Sequence, residues 1–71
     1  MSDTSPKTLI LNGTPISSAA ATLALFLSEQ GYGAARVATA VNGDFVPERQ
    51  RAATIIKAGD RVEVVSARQG G

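Results

Sequence analysis

The sequence predicts a two-layer α+β domain in which one helix covers one face of a mixed sheet of four to five strands. Three observations lead to this prediction. The chain carries one convincing amphipathic helix, two Asn-Gly pairs that separate short apolar segments, and a last segment that alternates before the C-terminus. Because a single helix can cover only one face of a sheet, the element count implies two layers.

The N-terminal part predicts a hairpin. Residues 1–6 are polar and lack periodicity, so we expect a disordered lead-in. Residues 7–12 form an apolar first strand and residues 14–17 return as the second. Between them, Asn12-Gly13 accepts the positive φ values of a type I′ turn.

The helix follows this hairpin. Thr22 can cap its N-terminus through its hydroxyl, and Ser18 is an earlier candidate for the same role. The apolar stripe, with spacing i, i+3 and i+4, consists of Leu23, Phe26 and Leu27. Leu25 falls off the stripe and is expected to be exposed. Gly31 supplies the left-handed residue that commonly ends a helix.

The second half of the chain predicts three further strands. In order, we expect a strand at 36–41, a turn at Asn42-Gly43, a short strand at Phe45-Val46 stopped by Pro47, a loop or short helical turn at 48–57, a turn at 58–60 and a last strand at 61–67. The first and last strands are both apolar and are natural neighbours at the sheet centre. The folded domain then spans 7–67, and 68–71 form a flexible tail.

Alternation and the helical stripe together predict one core. Its members are Leu9, Leu11, Ile16, Leu23, Phe26, Leu27, Val37, Val41, Val62 and Val64. With no Cys for a disulfide and no His or Cys for a zinc site, ordinary packing must hold this small domain. We expect a monomer when the protein is free.

The composition excludes most chemistry. Without Cys or His there is no thiolate nucleophile, imidazole base or zinc site, and the six acidic residues are scattered. We therefore expect no enzyme and no bound cofactor or metal. A net charge of +1 without a basic stripe argues against nucleic acid as a partner. No apolar run is long enough to span a membrane, no signal peptide is visible, and the cysteine-free sequence fits a reducing cytoplasm.

The two C-terminal residues carry the sharpest functional signal. Gly70 and Gly71 follow almost directly after the last strand, so the Gly71 carboxylate is held out on a short stalk. Residues without a Cβ can thread a narrow channel and let another backbone approach closely. A carboxylate is a poor electrophile, but adenylation converts it to an anhydride that sulfur can attack. The tail has the properties of a substrate.

Several segments together resemble one family. They are Ile-Leu-Asn-Gly at 10–13, Val-Ala-Thr-Ala-Val-Asn-Gly at 37–43, Phe-Val-Pro at 45–47, Lys-Ala-Gly-Asp-Arg-Val-Glu-Val-Val at 57–65 and the terminal Gly-Gly. Over residues 7–71 the chain resembles the ThiS family, the sulfur carriers of thiamin biosynthesis, which have the ubiquitin-like β-grasp fold. The resemblance implies that a ThiF-like enzyme uses MgATP to adenylate Gly71. A persulfide-bearing partner then forms a thiocarboxylate, and a ThiG-like thiazole synthase receives the sulfur.

Two positions differ from the family pattern. Glu48 stands between Val-Pro and Arg49, and Arg51 stands where many members carry Trp. Both lie outside the tail and bear on the pathway more than on the carrier role. Two alternatives stay open: a carrier that delivers sulfur to molybdopterin, cysteine or another metabolite, and a ubiquitin-like modifier or binding module whose tail forms an amide.

Strand alternation also predicts a docking surface. If Leu9 and Leu11 point inward, Ile10 points outward, and Val62 and Val64 inward place Val65 outward as well. We expect Ile10 and Val65 to be exposed side by side near the tail, and Arg68 to add a charged contact. Ordinary surface hydrophobic residues are an equally good interpretation of the two apolar side chains.

Overall fold

The computed structural model describes residues 5–33 and 36–66. Its strands and helix are β1 (Lys7–Leu11), β2 (Thr14–Ser18), α1 (Leu23–Glu29), β3 (Val37–Val41), β4 (Asp44–Val46) and β5 (Arg61–Ser66), with a 3-10 helix at Glu48–Ala53 before β5. The five strands form one sheet in the order β2-β1-β5-β3-β4. β1 runs parallel to β5, while the pairs β1–β2, β3–β4 and β3–β5 are antiparallel. The predicted α+β class, the mixed sheet and the adjacency of the first and last strands are confirmed.

Both Asn-Gly pairs adopt the predicted backbone. Asn12 and Gly13 have φ values of 49° and 85°, and Asn42 and Gly43 have 52° and 89°. Two consecutive left-handed residues are what a two-residue hairpin of type I′ requires, because this turn matches the twist of the flanking strands. The turns fix the register of β1 on β2 and of β3 on β4.

The helix has a defined cap at each end. Thr22 is the N-cap, and its hydroxyl accepts a hydrogen bond from the Leu25 N–H at 3.2 Å. At the other end Gly31 has φ 89°, and its N–H donates to the Ser28 carbonyl at 3.2 Å while the Tyr32 N–H donates to the Leu27 carbonyl at 2.8 Å. This pair of bonds is the Schellman motif. The alternative N-cap, Ser18, lies instead at the end of β2.

The core forms between α1 and one face of the sheet. Six predicted members are buried, namely Leu9, Leu23, Phe26, Leu27, Val62 and Val64, and four are half-buried and pack against them, namely Leu11, Ile16, Val37 and Val41. The core also contains Ala20, Val46 and Ile56, which strand alternation and the helical stripe did not predict. Leu25 is 55% exposed, as predicted.

The 3-10 helix carries one side chain back to the sheet. Arg51 donates from Nε to the Thr39 hydroxyl at 3.2 Å and from Nη2 to the Val37 carbonyl at 2.6 Å. Thr39 is buried, and its hydroxyl in turn donates to the Val46 carbonyl at 2.9 Å. β4 pairs with β3 only from Thr39 onward, so Arg51 satisfies a carbonyl that lies beyond the end of β4. The arginine that departs from the family pattern therefore holds the loop against β3.

Candidate functional site at the end of the central strand

β5 is the central strand and the one that leads to the C-terminus. It has β1 on one side and β3 on the other, and it ends at Ser66. The chain continues through residues 67–71, which include the predicted site residues Arg68, Gly70 and Gly71. Those three residues lie outside the part of the chain that the structure describes. The geometry described below is therefore that of β5 up to Ser66, the last described residue before the tail.

The two sides of β5 are paired over different lengths. β3 pairs with β5 from Val62, opposite Val41, to Ser66, opposite Val37. β1 pairs with Arg61 and Val62 only, because the chain turns away from β5 after Leu11. Backbone pairing on the β1 side thus stops several residues before the tail.

The side chain of Asn12 continues the pairing where β1 stops. Its backbone N–H donates to the Val62 carbonyl at 2.9 Å. Its side-chain Oδ1 accepts from the Val64 N–H at 2.9 Å, and its Nδ2 donates to the Val64 carbonyl at 3.2 Å. One carboxamide therefore supplies both the acceptor and the donor that a longer neighbouring strand would present to the Val64 backbone. We call this pair of side-chain bonds the Asn12 clamp.

The other Asn-Gly turn holds the opposite end of β5. The Asn42 backbone N–H donates to the Arg61 carbonyl at 2.7 Å, and Asn42 Oδ1 accepts from the Arg61 N–H at 2.9 Å. Asn42 Nδ2 donates to Asp60 Oδ1 at 3.0 Å, while Asp60 Oδ2 accepts from the Lys57 N–H at 2.8 Å. An asparagine therefore bonds to β5 on each side: Asn42 at its first residue, Arg61, and Asn12 at Val64, near its C-terminal end.

The hydrogen bonds at this turn also affect a titratable group. Partial burial raises the pKa of Asp60, but the hydrogen bonds from Asn42 and from the Lys57 N–H, together with the Lys57 charge, outweigh it. The net result is a pKa below the ordinary value for aspartate. The ionised carboxylate is therefore the form that this turn stabilises.

Sequence reasoning identified both asparagines as turn residues and missed their bonds to β5. The turn assignment followed from the local Asn-Gly pair. The Asn12 clamp joins residues 52 positions apart, so no local pattern identifies its partner. The available signal was the choice of Asn, whose side chain can donate and accept, at both turns beside the central strand.

The predicted docking residues lie on the open face of the sheet but not side by side. Val65 is 63% exposed, as expected. Ile10 is only half-buried rather than fully exposed, and it lies between Pro15 of β2 and Arg61 of β5 in the register. Val65 is four residues beyond Arg61, roughly 13 Å along the strand. The prediction that Ile10 and Val65 are adjacent is wrong, because parallel pairing places Ile10 at the start of β5.

Phe45, rather than Ile10, is the large apolar side chain that shares a region of the open face with Val65. Phe45 is 68% exposed and lies opposite Ala40, while Val65 lies opposite Ala38. The two alanines alternate along β3 and separate the two larger side chains. We call these four residues the outer-face patch. Strand alternation could have identified Phe45, because its neighbour Val46 points into the core.

A shallow cavity of about 220 Å³ lies elsewhere, between α1 and the 3-10 helix. Its lining comes from Ala24, Leu27, Tyr32, Gly33, Glu48, Arg51 and Ala52, and β5 contributes no residue to it. Within residues 5–33 and 36–66, no cluster of three or more His, Cys, Asp or Glu side chains could hold a metal ion. No helix in those ranges is long and apolar enough to cross a membrane.

Comparison with known proteins identifies the family. The model of the ThiS family matches residues 9–71, which includes both Asn-Gly turns, β5 and the Gly-Gly terminus. The chain belongs to the ThiS family. The fold agrees with a crystal structure described as thiamine biosynthesis protein (ThiS) from Geobacter metallireducens, with a TM-score of 0.75, 29% sequence identity, and coverage of 90% of this chain and 99% of that one. No curated protein matches the sequence.

Proposed function

We propose that this protein is a sulfur carrier of thiamin biosynthesis and that the Gly71 carboxylate is the group that carries the sulfur. Membership of the ThiS family and the similarity to a thiamine biosynthesis protein support the carrier role and the pathway. The observation that carries the proposal is the placement of Gly70-Gly71, five residues at most beyond a central strand that is held on both sides. Residues 67–71 can span at most about 18 Å, so the carboxylate stays close to the domain.

The chemistry begins with activation of the tail. A ThiF-like partner, using MgATP, transfers AMP to a Gly71 carboxylate oxygen and releases pyrophosphate. The terminal sulfur of a partner's persulfide then attacks the acyl carbon, and AMP leaves. A thiol cleaves the resulting sulfur–sulfur bond, forming a disulfide and leaving the thiocarboxylate on Gly71. A ThiG-like thiazole synthase accepts that sulfur.

The tail residues suit entry into a partner's active site. Gly70 and Gly71 have no Cβ, so both can pass through a channel too narrow for other residues. A carrier of this kind needs no catalytic side chain of its own. The chain contains no Cys and no His, and the proposal accordingly assigns every catalytic step to the partner enzymes.

The outer-face patch is the surface that we assign to partner docking. It lies on the sheet face that α1 does not cover, and Val65 precedes Ser66 at the end of β5. Val65 and Phe45 present apolar side chains that a partner can bury, and aromatic residues are enriched in such contacts. Arg68 follows in the tail and supplies a charge for the same partner, while Ile10 lies at the far end of β5 and is a weaker candidate.

The test is reconstitution with the adenylating enzyme from the same organism. Wild-type protein and a variant lacking Gly71 are each mixed with that enzyme and MgATP, and pyrophosphate release is measured. We expect release that depends on intact protein, and loss of it on deletion without a change in thermal stability, because terminal residues contribute little to folding. Equal rates with both proteins would refute the proposal. A product joined to a lysine through an amide would instead establish the modifier function.

A further inference from the structure

We propose that Asn12 is a positioning residue that fixes the direction in which the C-terminal tail leaves β5. The inference rests on the proposed function, because it concerns delivery of the Gly71 carboxylate to the adenylating enzyme. Asn12 does not belong to the tail and acts on it through the Val64 peptide group. Its role is therefore separate from that of the residues that enter the partner's active site.

The geometry at Val64 supports this role. On the β3 side, β5 is paired through Ser66. On the β1 side, pairing by backbone ends with the bond from the Asn12 N–H to the Val62 carbonyl. The Asn12 clamp adds the next peptide group, that of Val64, through one donated and one accepted bond. Both polar groups of the Val64 backbone are thereby held two residues before the strand ends.

The clamp is itself held in a fixed place. Asn12 has φ 49° in a type I′ turn, and the flanking residues Leu11 and Thr14 are paired across the β1–β2 hairpin. The backbone of Asn12 is also bonded to Val62. The carboxamide therefore projects from a constrained turn toward β5, and a hydrogen bond from a constrained group restrains its partner more strongly than one from a mobile side chain.

A small change of direction at Val64 is enlarged along the residues that follow it. Activation requires the carboxylate oxygen and the ATP α-phosphate to meet in a defined geometry, and misplacement of reacting groups by about 1 Å can cost roughly 100-fold in rate. Residues 65–71 lie between the clamp and the reacting carboxylate. Loss of the two bonds to Val64 therefore lowers the fraction of molecules whose tail has the orientation that activation requires, even where the domain stays folded.

Asn42 provides a matched control within the same chain. It occupies the same position of the same turn type, has φ 52°, and also makes two hydrogen bonds to the backbone of one β5 residue. It differs in acting on Arg61, at the end of β5 far from the tail, and one of those bonds comes from its own backbone. Glycine tolerates positive φ, so N12G and N42G each remove a carboxamide without straining the turn.

The experiment compares wild type, N12G, N42G and N12D. Pyrophosphate release by the adenylating enzyme is measured against carrier concentration, at a temperature where every variant is folded. We expect kcat/KM to fall about tenfold for N12G and to stay within about twofold of wild type for N42G. N12D should also lie below wild type, because aspartate keeps the acceptor for the Val64 N–H but turns a second acceptor oxygen, instead of a donor, toward the Val64 carbonyl.

Amide hydrogen exchange on the free proteins supplies a readout that does not depend on the partner. N12G should speed exchange at Val64 and leave Arg61 unchanged, and N42G should do the reverse. Equal losses of kcat/KM in N12G and N42G, or an unchanged kcat/KM in N12G despite faster Val64 exchange, would overturn the inference alone. Absence of pyrophosphate release with wild type would overturn the proposed function as well.

Discussion

The two faces of the sheet differ in what covers them, although the same strands form both. On the inner face, Val62 and Val64 of β5 pack with Phe26 of α1 and are buried. On the outer face, Val65 of the same strand and Phe45 of β4 are more than 60% exposed, at 63% and 68%. One strand can therefore stabilise the domain through alternate residues while the residues between them stay available to a partner.

The largest expected effect separates the two phenylalanines of the chain. Phe26 is fully buried, so F26A should lower the free energy of unfolding by about 3–5 kcal/mol. Phe45 lies on the outer face, and F45A should change the free energy of unfolding by at most about 0.5 kcal/mol. Urea denaturation followed by circular dichroism measures both. Comparable losses in the two variants would contradict the assignment of stability to the inner face.

A smaller effect is expected for binding at the outer-face patch. V65E places a charge beside Ala38 and should weaken binding to the adenylating enzyme about tenfold or more, because an apolar contact is replaced by a buried charge. Leu25 is 55% exposed on α1 and provides the control, since L25E adds the same charge away from the patch. Isothermal titration calorimetry measures the affinities. Unchanged affinity for V65E, or equal weakening for L25E, would remove the docking assignment.

The smallest expected effect concerns pH at the turn before β5. The pKa of Asp60 is lower in the folded protein than in the unfolded chain, so its ionised form favours folding. This stability is present above the unfolded pKa of about 3.9 and is lost as the pH falls through the folded pKa. D60N should therefore flatten the acid limb of a thermal-stability profile. An unchanged or steeper acid limb in D60N would contradict the lowered pKa.

The fold was largely predictable because its signals are local. The Asn-Gly pairs, the helical stripe and the alternation at 61–67 each specify an element within a few residues. The predicted core was incomplete because Val46 and Ile56 each lie beside an exposed apolar neighbour, Phe45 or Ile55. Both segments are too short to show a hydrophobic period. The position of residues 48–57 against the sheet could not be predicted from sequence. It depends on the bonds of Arg51 to Val37 and Thr39, which form only when the 3-10 helix lies against β3.

The reacting group of the candidate site could be predicted from the sequence, whereas the arrangement of the residues around β5 could not. Gly-Gly at the C-terminus pointed to the reacting group without any structure. The Asn12 clamp and the separation of Ile10 from Val65 both depend on the register of β1 along β5. Parallel register between distant strands is set by packing of the whole sheet, so a local pattern does not determine it.

The most direct test of the account is the mass of the protein after the complete reaction. Wild type and the Gly71 deletion are incubated with MgATP, the adenylating enzyme and a persulfide donor, and the intact mass is measured, followed by that of the C-terminal peptide. The chain has no Cys, so no thiol of its own can hold added sulfur. The account predicts that wild type gains the mass difference between sulfur and oxygen, located at Gly71, and that the deletion variant gains nothing. An unchanged wild-type mass, or the same gain in the deletion variant, would contradict it.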